Sequence, residues 1–398
     1  MTLPRNLLPL VLMGGVMLID GFDLNAMPLA VPHLLDAYGL EAAAFGIVFS
    51  AVLVGLGAGA LLLAPLGDRI GRRPAIVIAC LALGFATLGT ASTTSIAGFA
   101  LWRLVTGVAL GACLPNISAL SAELAPDGKR ATAMAVVSAG IAIGAMSAGF
   151  AAPEIVEFGS WRMLFILPGM LAIALALALW LALPAQAVAP SQHRPADSKL
   201  PLLDLFRAPY LLPFAIFAGA YAINAVALYM LTSWIPTLLP REQGFDVALA
   251  ARISGLLQGG GLLAGIGLSW LLDRWNPGLA LACGFAVIAL AFLALGLTPA
   301  DPWSWGALLL VAGGGVTGIH MAVMALTPSL FPSHMLSSAI GAGVAIARLG
   351  AIAGPMVGAQ LVAAGSPIST FFLALVIPPL ACVALALLVP RALRGPEI

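Results

Sequence analysis

Apolar stretches of about twenty residues or more recur along the chain, separated by short polar breaks. Each is long enough to cross about 30 Å of hydrocarbon as a helix. The pattern predicts spans at 8–35, 43–66, 75–94, 97–124, 131–153 and 161–184, then at 208–238, 248–272, 279–298, 304–328, 336–362 and 368–389. A membrane β-barrel would instead show alternating segments of about ten residues, and the chain has none. The expected fold class is an all-α membrane protein of twelve transmembrane helices in two pseudo-symmetric six-helix bundles. Residues 1–184 would form the first bundle and residues 207–398 the second. Residues 185–206 are polar and carry prolines, and read as a cytoplasmic linker. Asp68-Arg69 after the second span recurs as Asp273-Arg274 after the eighth, as duplicated halves would have it.

Composition agrees. The 398 residues are 62% hydrophobic and 8% charged, too little charge for a soluble surface. The net charge of +1 leaves no nucleic-acid footprint. With both termini inside, the cytoplasmic segments collect Arg5, Arg69, Arg72, Arg73, Lys129, Arg130, Arg194, Lys199, Arg207, Arg274, Arg391 and Arg394. The positive-inside bias then sets the orientation in a cytoplasmic (inner) membrane. Trp161, Trp234, Trp303 and Trp305 fall at the opposite span ends, where interfacial anchors belong. Cys80, Cys113, Cys283 and Cys382 all lie in apolar spans without metal-ligand spacing, so neither a disulfide nor a metal site is expected. The apolar run after Arg5 is too long for a signal peptide and contains two carboxyls; it reads as a retained first span.

Those carboxyls are the chemical focus. Asp20-Gly21-Phe22-Asp23 sits mid-span, with both acids on one helical face. At that depth each costs about 2.5–3.5 kcal/mol, which marks a working site. They can bind a cation, exchange protons or pair with a base. Arg348, mid-span in the eleventh stretch, is the expected counter-charge. It can clamp a substrate carboxylate through two parallel hydrogen bonds, or pair with Asp20 or Asp23. Arg103-x-x-x-Gly107-x-x-x-Gly111 places close-approach glycines in the fourth span. Arg103, near its outer end, can snorkel outward. Tyr221, Asn224, Gln258 and His320 are mid-depth polar groups suited to a substrate. Asn116 and Glu123 lie toward the cytoplasm and suit a gate.

Gly313-Gly-Gly-Val-Thr-Gly318 matches a dinucleotide-binding pattern by letter, but no strand precedes it. No P-loop, zinc-protease histidine pair or nucleophile elbow is present, so neither an enzyme nor a cofactor is expected.

The most specific stretch is Ala64-Pro-Leu-Gly67-Asp68-Arg69-Ile-Gly71-Arg72-Arg73. It resembles the loop signature of the major facilitator superfamily, with Ala64 where that signature usually opens on glycine. Asp68 with Arg69, Arg72 and Arg73 would latch one conformation, and Asp273 and Arg274 would do so in the second half. Asp-Gly-x-Asp in the first span, Leu114 to Glu123, Tyr229 to Pro236, Gln258 to Gly261 and Ala347 to Pro355 look together like that superfamily's aromatic acid:proton symporters. The resemblance implies import of a small organic anion, benzoate- or hydroxybenzoate-like, with protons, for which alternating access is the expected mechanism; one chain holds both halves, so a monomer suffices. For Arg103 the resemblance implies the alternative to snorkelling, proton coupling. The alternatives are a proton-coupled exporter and, less in keeping with so small a soluble part, a membrane ligand sensor. Drug antiporters carry a Gly-Pro pair in span five. This chain reads Gly140-Ile-Ala-Ile-Gly144-Ala145 there, which disfavours export.

Overall fold

A computed structural model describes residues 7–126, 129–183, 204–272, 274–299 and 301–393, without the side chains of Asp68, Ala131, Ser333, His334 and Ser337. The first half runs α1 (Leu7–Tyr38), α2 (Phe45–Leu62), α3 (Leu66–Ile70), α4 (Arg72–Ser92), α5 (Ile96–Leu124), α6 (Arg130–Phe158) and α7 (Met163–Ala182). The second runs α8 (Leu211–Gln243), α9 (Val247–Leu272), α10 (Pro277–Leu297), α11 (Pro302–Ala325), α12 (Thr327–Leu330), α13 (Ser333–Ala363), α14 (Ile368–Ala386) and α15 (Val389–Leu393). Among the described residues there are 12 helical segments long and apolar enough to cross a membrane. Most of the expected linker lies outside the described residues, as do Arg5, Arg194, Lys199, Asp273 and Arg394. The described part of the linker ends in a 3-10 turn, Asp204–Phe206.

The second span stops at Leu62 rather than 66, because the chain turns off at Pro65 into the separate helix α3. The seventh runs five residues past its expected end at 238, to Gln243, carrying Pro236 and Pro240 within it. Polar caps stop and start the helices between spans. Ser95 Oγ accepts from the Gly98 N–H at 3.1 Å and Asn276 Oδ1 from Leu279 at 3.2 Å. Asp301 accepts from the Ser304 N–H at 2.9 Å, which holds its carboxyl below the usual carboxylate range.

The chain divides into two compact units, Met1–His193 and Arg194–Ile398. In the first, α1 packs on α6, α2 on α5, and α4 on α7; in the second, α8 packs on α13, α9 on α11, and α10 on α14. Counted by spans, both units use the same pairing: first with fifth, second with fourth, third with sixth. Lipid offers no hydrophobic drive between helices, so close backbone packing must hold them. The glycines do this. A Cβ on Gly107 of α5 would lie 2.0 Å from the Val52 carbonyl oxygen of α2, and one on Gly350 of α13 would lie 2.1 Å from that of Ala222 in α8. Gly318, the last glycine of the rejected nucleotide-like pattern, packs against α9: its Cβ would meet the Gly265 nitrogen at 2.6 Å.

The tryptophans correct an expectation. Trp161, Trp234 and Trp305 are buried at 5%, 0% and 2% exposure, and only Trp303 of the four, at 88%, is exposed. Trp161 meets Tyr38, Phe99 and Phe165 edge-on, and Trp234 Nε1 donates to the Pro355 carbonyl at 3.0 Å. At Trp161 and Trp305 neighbouring rings cover the indole, and at Trp234 the Pro355 carbonyl takes its N–H, so these span-end indoles pack inward.

Candidate functional site

In the first unit α1 turns both carboxyls inward; Asp20 and Asp23 are 1% and 0% exposed. Gly21, between them, sets that rotation. A Cβ there would lie 1.9 Å from the Ile141 carbonyl oxygen, so this face of α1 must lie flush on α6. At about 100° per residue, Asp20 and Asp23 then point well away from α6. Asp23 reaches α4 and α5. Its Oδ2 accepts from Arg103 Nη1 at 2.7 Å, and its backbone oxygen accepts from Arg103 Nη2 at 3.0 Å. Thr87 Oγ1 donates to the other carboxylate oxygen at 3.1 Å.

Two expectations change here. Arg103 does not snorkel: its side chain is 1% exposed and ion-paired. The counter-charge of Asp23 is this arginine of the same unit rather than Arg348. A guanidinium at this depth gains more from a carboxylate one helix away than from stretching toward water. Thr87 is silent in the sequence, since a threonine in an apolar span carries no signal until its partner is known. The thiols of Cys80 and Cys113 lie 3.6 Å apart, buried in an apolar cluster of the first unit with Met13, Ile76 and Ile117.

The α2–α4 loop is tied to α5. Asn116 Nδ2 donates to Ala64 O at 3.1 Å and to Ala112 O at 2.8 Å. Its amide fills the space a side chain at Gly67 would need, since a Cβ there would sit 1.9 Å from Asn116 Oδ1. Gly71, at φ 98°, takes a backbone shape that suits glycine. Arg72 Nε meets Glu123 Oε1 at 3.0 Å. Arg73 donates to the Trp180 carbonyl and lies 4.4 Å over its ring. Arg69 is exposed. In the second unit Arg274 lies 4.1 Å over the Trp270 ring. The side chain of Asp68 and all of Asp273 lie outside the described residues.

The second unit gathers Tyr221, Asn224 and His320. The Tyr221 and His320 rings stack at 3.9 Å with 13° between planes, and Phe217 continues the stack at 5.7 Å from Tyr221. Asn224 Nδ2 donates to the Val316 carbonyl at 3.0 Å and lies 3.3 Å from His320 Nδ1. Arg348, half-buried in α13, is near enough for its charge to act on both Tyr221 and His320. Gln258 is half-buried in α9. Among the described residues no protein acceptor faces the Tyr221 hydroxyl, His320 Nε2 or the Arg348 guanidinium. Two donors and a ring nitrogen that can donate, one of the donors a fixed positive charge, suit an anion that carries more than one oxygen.

Known proteins resemble this chain over most of its length. The sequence profile of the Major Facilitator Superfamily matches residues 13–354. The chain is 31% identical to a gallate transporter of Pseudomonas putida, over 95% of this chain and 90% of the relative. It is 32% identical to a 3-(3-hydroxy-phenyl)propionate transporter of Escherichia coli, over 91% and 88%. It is 28% identical to the 4-hydroxybenzoate transporter PcaK of Pseudomonas aeruginosa, over 94% and 90%. Among solved structures, a bacterial homologue of the human lysosomal transporter Spinster superposes with a TM-score of 0.83 at 16% identity, covering 99% of this chain and 98% of that one. The nucleoside transporter NupG gives 0.80 at 18% identity, covering 96% and 98%. These two share the fold. The chain belongs to the major facilitator superfamily, grouping there with aromatic acid transporters, and is a transporter rather than an enzyme.

Proposed function

We propose that this chain imports a small aromatic carboxylate, benzoate- or hydroxybenzoate-like, together with protons, by alternating access. Relatives named for gallate, 4-hydroxybenzoate and hydroxyphenylpropionate support the substrate class. The observation that carries the coupling is the fully buried Asp23–Arg103 pair, with Thr87 on the second carboxylate oxygen.

A proton on Asp23 cancels the charge that holds Arg103, so protonation and rearrangement of the first unit become one event. Asp20, one turn away on the same face, offers a second protonatable site. In the second unit Arg348 binds the carboxylate, and Tyr221, Asn224, Gln258 and His320 form or support the rest of the pocket. One proton per monoanion is electroneutral, and a second adds about 2.3 kcal/mol of drive per 100 mV. Asn116, Glu123, Arg69, Arg72 and Arg73 with Asp68 form the first latch, and Asp273 with Arg274 the second. The chain works as a monomer in the inner membrane with both termini cytoplasmic. Its bundles are 1–184 and 207–398, joined by the linker 185–206.

Uptake of radiolabelled 4-hydroxybenzoate into proteoliposomes under an imposed proton gradient tests this reading. The expected result is accumulation, competed by benzoates and phenylpropanoids but not by aliphatic acids. Equal transport of sugars would refute the substrate class. Gradient-driven efflux would make the chain an exporter, and binding without flux a sensor.

A further inference from the structure

We infer that Asn224 fixes His320 as the Nε2–H tautomer and so makes it the donor that reads a ring oxygen on the carried acid. This rests on the aromatic-acid reading of the second unit and adds a selectivity to it.

The backbone carbonyl of Val316 can only accept, so the Asn224 atom 3.0 Å away is the amide nitrogen. Asn224 is 2% exposed, and a reversed amide would set oxygen against oxygen in a buried place. The amide nitrogen has a second hydrogen, and His320 Nδ1 is 3.3 Å from it. Nδ1 must then accept. A neutral imidazole that accepts at Nδ1 carries its proton at Nε2.

The ring plane is set as well as the tautomer. Tyr221 covers one face at 3.9 Å and near-parallel, with Phe217 behind Tyr221. The ring edge with Nε2–H is left facing no protein acceptor among the described residues. Arg348 is the stronger partner for a carboxylate, because its charge and planar fork match two oxygens. The imidazole N–H is left for a neutral oxygen, such as a hydroxyl on the ring. An unsubstituted ring strands that donor. A site built to hydrogen-bond a substrate group rejects analogues that lack it, and one neutral bond of this kind is worth about tenfold in affinity at the upper end of its range.

The test uses the full chain in detergent or nanodiscs, with benzoate, 3-hydroxybenzoate and 4-hydroxybenzoate as probes. The expected result is that one hydroxylated acid binds about tenfold more tightly than benzoate. In His320→Phe, which keeps a ring against Tyr221, that ratio falls to near one. Nitrogen-15 spectra of histidine-labelled protein read the tautomer directly and do not depend on any variant folding. They should show His320 Nδ1 unprotonated in the wild type and a tautomer mixture in Asn224→Leu. Equal affinities in the wild type, a preference that survives His320→Phe, or a proton on Nδ1 would each overturn the inference. Failure to bind any aromatic acid would instead overturn the proposed function. Benzoate binding that depends on Arg348 but ignores ring hydroxyls would leave that function standing and remove only the inference.

Discussion

Replacing Asp23 by asparagine changes one charge and almost no volume. The amide can keep the shape of the site: its oxygen can accept from Arg103 Nη1, where 2.7 Å now separates the ions, and its nitrogen can donate to Thr87 Oγ1, now at 3.1 Å. The Arg103 guanidinium, 1% exposed, then has no counter-ion and keeps the Asp23 backbone oxygen at 3.0 Å. Breaking a buried pair from one side costs about 3–5 kcal/mol. The preserved hydrogen bonds place Asp23→Asn near the lower figure, at about 3 kcal/mol. Arg103→Gln strands the carboxylate instead, at a similar cost. Removing both charges should recover most of the loss, because a neutral amide pair avoids the desolvation that either lone ion suffers. The assay is a double-mutant cycle on unfolding in detergent, with apparent stability read for each single variant and the pair. The expected coupling is about 2 kcal/mol or more. Single variants that cost under about 1 kcal/mol each and simply add would refute it.

Gly21→Ala should destabilise by about 1–3 kcal/mol as α1 is pushed off α6, since its Cβ would sit 1.9 Å from Ile141 O; Gly57→Ala, with nothing within 4 Å, is the neutral control in the same thermal melt. Gly67→Ala should disorder the α2–α4 loop, read as faster proteolysis there, and adding Asn116→Ala should relieve the clash and slow cleavage again. Glu123→Gln should cost under about 1 kcal/mol in stability, because the Arg72–Glu123 pair is part-exposed at 21% and 50%; its effect should appear in the transport rate, and a large loss of stability would contradict this. Trp234→Phe removes the donor to Pro355 O and should lower stability by about 1 kcal/mol, measured by unfolding.

The spans, their order and the acid pair could be read from the chain because length and apolarity define a span directly. Rotation could not. In lipid the outside of a helix is as apolar as its core, so the periodicity that separates faces in a soluble helix is missing. Arg103 shows the consequence: its depth was legible, its direction was not, and Arg348 stood out in its place as the partner of Asp23. Trp161, Trp234 and Trp305 were misplaced for the same reason, since position at a span end does not tell inward from outward. Tyr221 and Asn224 share one face by their three-residue spacing, and that face does meet His320. The hydrogen bond of Asn224 to Val316 joins residues 92 apart in sequence, and no local pattern announces it. Gly107 and Gly111 were legible as packing residues because a four-residue glycine spacing has few other uses in a membrane helix. Gly67 was legible as part of a signature, but its reason, the Asn116 amide lying against it, came only from the fold.

In the proposed mechanism, aromatic acid entry is tied to a proton through Asp23. The direct measurement is lumenal pH in proteoliposomes holding a trapped pH-sensitive dye, on addition of 4-hydroxybenzoate at a pH where the acid is ionised, with protein-free liposomes as the background. Wild-type vesicles should acidify inside as the acid enters, and Asp23→Asn vesicles should not. Acid entry by the wild type with no change in lumenal pH beyond that background would contradict the account.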